Sequence, residues 1–193
     1  MSLRKNRPRP GQELREVGGG ISDFAEFLGG EVSCQAVPIG AQHPRAGVSA
    51  RSVVHVGRDD AEEIGSVLDD PELKARLIRL SGIDDHQLAD LYRHAACLCV
   101  PSTYEGFCLP VLEAQQLGCP VVCSNRSATP EIAGKGALTF DPADSDSLVA
   151  ALERLFREPD LASDLRQAGY ENRKLYSWQK AAESYAQIFH EQT

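Results

Sequence analysis

No apolar run among the 193 residues approaches the ~20 needed to span a bilayer, so no transmembrane helix is expected. Positive charge is scarce as well. Against 28 Asp and Glu stand only 20 Lys and Arg, a net charge of -8, so no general field draws in nucleic acid or an anionic membrane. Any phosphate has to be captured by local groups. No G-x-G-x-x-G follows a strand-like run, which argues against a dinucleotide-binding dehydrogenase. The six cysteines, at 34, 97, 99, 108, 119 and 123, show no paired C-x-x-C spacing, and no secretory leader is expected before them. Cys97 and Cys99 share one face of a strand, and Cys119 and Cys123 flank the next apolar run, so most of the set reads as reduced core residues. His55 and His94 have no partners at ligand spacing, so no metal site is expected. Together these absences suggest a soluble, cytoplasmic protein.

What is present centres on Pro101-Ser-Thr-Tyr-Glu-Gly-Phe-Cys-Leu-Pro-Val-Leu-Glu113. The continuous apolar run Cys97-Leu-Cys-Val100 before it suits a strand buried on both faces. Pro110 marks the first helical position, where a missing N–H costs nothing. A strand that runs through a loop into a helix leaves unpaired N–H groups and the positive end of the helix dipole facing outward, which makes an anion site. The expected donors are the N–H groups of Phe107, Cys108 and Leu109, and Gly106 permits close backbone approach. Glu105 lies in the loop and Glu113 about one turn into the helix, so both carboxylates face the same crevice.

Along the chain, residues 1–51 read as an irregular N-terminal arm and linker, and 52–193 as one domain. The arm begins with Arg4, Lys5, Arg7 and Arg9 among prolines, followed by Gly18-Gly-Gly20. A short amphipathic helix fits 21–30, with Phe24, Phe27 and Leu28 on one face, and a weak strand pattern covers 32–39. Further strands are expected at 53–57, 76–82, 97–100, 120–124 and 137–140. Helices are expected near 60–69, from Pro71, after the Asp84-Asp85 cap, from Pro110 to Gly118, and at 144–157, 160–175 and 178–190. Trp178, opening the last helix, reads as a core residue. This alternation predicts an α/β fold, a Rossmann-like parallel sheet with helices on both faces. Ligands of such sheets sit at the carboxyl ends of the strands, where the 102–109 loop lies.

Tyr104-Glu-Gly-Phe-Cys-Leu-Pro-Val-Leu-Glu-Ala114, continuing through Gly118-Cys-Pro-Val-Val122, Ser124-Asn125, Pro130-Glu131 and Asp141-Pro142, resembles the C-terminal, donor-binding domain of family-four retaining glycosyltransferases with the GT-B fold. The likeness covers about residues 52–190 and includes a pair of glutamates with seven residues between them. It implies a nucleotide-diphospho-sugar donor, with Glu105 contacting the sugar as the catalytic glutamate and Glu113 the ribose. The N–H groups of Phe107, Cys108 and Leu109 would take the phosphates. It also implies retaining hexosyl transfer without a metal or other cofactor, to a glycan or lipid-linked acceptor.

Three departures from the family stand out. Cys108 replaces the usual glycine, placing a side chain beside the phosphate-binding backbone. The family's diphosphate lysine has a counterpart in Lys5 of Arg4-Lys5-Asn6, but the strand and arginine that precede it there are missing. Arg58 is not assigned that role. The N-terminal acceptor domain of the family also has no counterpart in residues 1–51, so the isolated chain is expected to be inactive in transfer. A non-catalytic nucleotide-sugar-binding or assembly module is the alternative.

Overall fold

The computed structural model describes Gln35–Ile39, Ser52–Val56, Pro71, Lys74 and residues 77–191. Its strands are β1 (Gln35–Ile39), β2 (Ser52–Val56), β3 (Leu77–Leu80), β4 (Leu98–Val100), β5 (Val121–Ser124) and β6 (Ala137–Phe140). Its helices are α1 (Asp85–His94), α2 (Leu109–Gln116), α3 (Thr129–Ala133), α4 (Ser145–Arg157), α5 (Leu161–Arg173) and α6 (Trp178–Glu191), with a 3-10 turn at Gly134–Gly136. The helices expected at 21–30 and 60–69 lie outside the described residues, and of the one from Pro71 only helical Pro71 and Lys74 are described.

The strands form one sheet in the order β3-β2-β1-β4-β5-β6. β2–β3, β4–β5 and β5–β6 pair in parallel, as the alternating pattern predicts. β1 runs antiparallel to both β2 and β4. Only 12 residues, 40 to 51, separate it from β2. They are polar and hold Pro44 and Gly47, a poor helical crossover of the kind that parallel neighbours need. The segment read as an arm therefore contributes one strand to the sheet. Its irregular character elsewhere, at 1–34 and 40–51, remains our proposal, since those residues lie outside the described ones.

The side-chain alternation of β4 and β5 divides the core in two. Leu98, Val100, Val121 and Cys123 join Tyr92 of α1 and Val111 of α2 on one face. Cys97, Cys99 and Val122 join Leu148 and Leu152 of α4 and Leu165 of α5 on the other. The two-residue period of a strand thus requires helices on both sides. α1 starts in a capping box: the Asp84 side chain accepts from the Gln87 N–H at 2.9 Å, and the Gln87 side chain accepts from the Asp84 N–H at 3.0 Å. Just past α2 and its cap Leu117, Gly118 has a φ of 72°, the left-handed conformation that halts a helix. Trp178 corrects the expectation of a core residue: it is 82% exposed, and α6 buries no residue. Both faces near β4–β6 are already covered, leaving α6 no core to enter.

Cys97, Cys99, Cys108, Cys119 and Cys123 are all buried and reduced, as expected, while Cys34 lies outside the described residues. Burial pushes the Cys108 thiol up to about 11, and the Cys119 and Cys123 thiols up to about 12. The folded chain therefore keeps protons that the unfolded chain releases near its ordinary value of 9.0. Since the native state binds more protons there, stability is full below pH 9 and falls as pH rises toward 11–12. Each thiol should remove roughly 1 kcal/mol per pH unit in that window. Urea midpoints should be lower at pH 10 than at pH 8, with Cys119→Ala reducing the difference; equal midpoints would count against buried thiols.

Candidate functional site

β4 ends against buried Pro101 and Ser102, after which the chain comes to the surface at Tyr104, Gly106 and Phe107. It turns back at Cys108, with φ 66° and ψ 58°. That left-handed conformation costs a non-glycine residue roughly 1–2 kcal/mol. It also sends the side chain inward, where Cys108 is only 4% exposed and joins the core beside Cys123. The departure from glycine thus places a thiol beneath the turn.

Because the turn is complete at Cys108, Leu109 is already helical and Pro110 occupies the second helical position, not the first. The proline remains harmless there, because first-turn N–H groups have no intrahelical acceptor. The Val111 N–H reaches back to the Cys108 carbonyl at 3.2 Å, and no side chain caps the helix. The N-terminus of α2 is open, with the amides of Phe107, Cys108 and Leu109 next to it.

Val111, Ala114 and Gln115 fix the inner side of α2, leaving Glu113 exposed. Buried Tyr92 of α1 donates its hydroxyl to Glu113 Oε2 at 3.3 Å. Burial, followed by the charge of Glu113, raises the pKa of the phenol far above its ordinary value, so it remains a donor. Glu105 is half-buried, and its backbone carbonyl accepts the Ser127 hydroxyl at 2.8 Å. Ser127 itself has a left-handed φ of 57°.

These contacts tie together the loops at the carboxyl ends of β4, β5 and β6. Ser127 joins the first loop to the second. Arg126 Nη2 joins the second to the third, donating to the Asp141 carboxylate at 2.8 and 3.0 Å. The Asn125 N–H also donates to the Phe140 carbonyl at 2.8 Å. The Ala143 amide, then Arg126, holds the Asp141 carboxyl below its ordinary range. From above, Phe107 packs edge-on against Tyr176, with ring centroids 5.9 Å apart. The result is a braced rim around an open helix N-terminus flanked by two carboxylates, an arrangement suited to an anion that also carries hydroxyl groups.

Of the residues singled out from sequence, Glu105, Gly106, Phe107, Cys108, Leu109 and Glu113 line this loop and the start of α2, whereas Lys5 lies outside the described residues. Tyr92 is not among the residues that the sequence singles out for the site. The available signal was its hydroxyl, which needs a partner once the ring is buried.

Residues 49–172 match the family model for glycosyl transferases group 1. The chain belongs to that family. This group 1 glycosyl transferase chain is 41% identical over 109 residues to the MMP alpha-(1->4)-mannosyltransferase of Mycolicibacterium hassiacum, covering 53% of this chain and 26% of that protein. To O-antigen chain mannosyltransferase B of Escherichia coli it is 37% identical over 100 residues, covering 52% and 26%. Among solved structures, sucrose-phosphate synthase from Thermosynechococcus elongatus superposes with a TM-score of 0.68 at 25% identity, over 89% of this chain and 42% of that one. The expected α/β domain of a GT-B fold, its C-terminal half, is borne out. The chain spans about a quarter of the length of these curated relatives. Among the described residues, no helix is long and apolar enough to cross a membrane.

Proposed function

We propose that this chain supplies the donor half of a retaining hexosyltransferase and holds a nucleotide-diphospho-sugar over the N-terminus of α2. The observation that carries this reading is the uncapped helix start, with Glu105 in the loop just before it and Glu113 in the second turn of the helix. The amides of Phe107, Cys108 and Leu109 take the diphosphate, Glu113 the ribose hydroxyls and Glu105 the sugar. Lys5 adds a cation to the phosphates. The mannosyltransferase names of the relatives favour a mannosyl donor.

In transfer, the bond between the anomeric carbon and the leaving phosphate oxygen breaks through an oxocarbenium-like transition state, and the acceptor oxygen bonds the same face while its proton passes to the departing phosphate oxygen. The acceptor, a glycan or lipid-linked saccharide, sits against an N-terminal domain. The helix N-terminus stabilises the charge growing on the leaving diphosphate without a metal, as preorganised dipoles do. The setting is cytoplasmic. A second reading is a module that binds donor without transferring it.

Binding raises stability by mass action. One of UDP, GDP and ADP at millimolar concentration should therefore raise the melting temperature, with no shift for any of them counting against the donor site. Release of sugar from labelled donor to an acceptor would favour the transferase; binding alone would favour the module.

A further inference from the structure

We infer that Tyr92 is a positioning residue for Glu113, presetting its carboxylate for the ribose of the donor. The inference rests on the donor-site reading and goes further, assigning the site's preference for a ribose diol to a residue of the neighbouring helix.

Glu113 is exposed, and a carboxylate on an exposed helix face samples several rotamers. Holding it in one of them costs side-chain entropy when a ligand arrives. Tyr92 reduces that cost beforehand. Its ring is fixed in the core at 1% exposure, packed with Val111 and Ala114 of the helix that carries Glu113, and its hydroxyl donates to Oε2 at 3.3 Å. An ionised carboxylate offers about four acceptor positions, so one bond from Tyr92 leaves the others for a diol. The distance is long for a charge-assisted O–H···O bond, so the contact orients Glu113 without saturating it. The alternative is that Glu113 merely satisfies a buried phenol.

The two roles differ in what they do to ligand selectivity. Take whichever of UDP, GDP and ADP binds wild type best, together with its 2′,3′-dideoxy counterpart, and measure both dissociation constants for wild type and Tyr92→Phe. Wild type should prefer the ribose form by about tenfold or more, the scale of hydrogen bonds to a charged group. Tyr92→Phe should lose most of that preference by weakening the ribose form alone, while the dideoxy form binds unchanged. A merely structural role would weaken both forms equally, and that outcome overturns the inference, as does an intact preference in Tyr92→Phe. If wild type binds none of the nucleotides, the donor-site reading falls and this inference falls with it. If wild type prefers ribose and Tyr92→Phe does too, only the inference falls. Should Tyr92→Phe not fold, 3-fluorotyrosine at position 92 keeps the ring in place and changes the acidity of the hydroxyl. The preference should then change about twofold, and an unchanged preference overturns the inference.

Discussion

Gly136→Ala is expected to cost about 3 kcal/mol of stability, a large share of the total of a marginally stable domain. A Cβ at this position would stand 2.5 Å from Gln115 Nε2, 2.5 Å from Gly169 Cα and 2.8 Å from Gly169 N. The side-chain amide could rotate away, but the backbone of α5 has to move as a unit. That shift would break a buried polar junction. Gln115 donates to the Ala133 carbonyl at 2.8 Å, and Asn172 donates to Gln115 Oε1 and the Ile132 carbonyl, each at 2.8 Å. Every buried group left unpaired adds about 1–3 kcal/mol. The junction is also the inner anchor of α2, the helix that carries Glu113, so the packing that admits only glycine holds the candidate site in place. Gly106→Ala serves as the control, because a Cβ there meets nothing within 4 Å. Urea denaturation should place that variant within about 0.5 kcal/mol of wild type. If both variants melt together, the close approach of α5 to the 3-10 turn does not exist.

The site was legible in the sequence where its features are local. The apolar run before Pro101, the punctuation by Gly106 and Pro110, and the two glutamates needed only neighbours along the chain, and the structure finds them at a strand end and a helix start. The 137–140 strand and the Asp84 cap were local in the same way. Features set by distant partners were hidden. The reversed direction of β1 depends on which strands flank it. Residues 92 and 113 lie on different helices, 21 positions apart, and nothing in either segment announces the other. The resemblance to the family suggests an inward tryptophan at the start of α6, but whether an apolar side chain is buried depends on a surface being there to receive it, and Trp178 is 82% exposed. Pro110 shows the limit of a positional rule: the conformation of Cys108, a matter of backbone and burial together, moved the helix start by one residue.

Glu105→Ala and Glu113→Ala should separate the two ends of the ligand. If Glu113 holds the ribose, its loss weakens a nucleoside diphosphate and the corresponding mannosyl donor alike. Hydrogen bonds to a charged group contribute about 1.5–3 kcal/mol, so the loss should be about 10- to 100-fold in affinity. If Glu105 holds the sugar, Glu105→Ala leaves the nucleoside diphosphate unchanged and removes only the extra affinity of the sugar-bearing donor. Titration of both ligands against wild type and the two variants gives the four ratios. Equal weakening of both ligands by both variants would mean that the carboxylates act only through the shape or charge of the crevice, and the assignment of separate partners would fail. Glu105 carries one further consequence. Its backbone, not its carboxylate, receives the Ser127 hydroxyl, so Glu105→Ala keeps the tie between the β4 and β5 loops. A loss of sugar affinity in that variant therefore reports on the carboxylate itself and not on collapse of the rim.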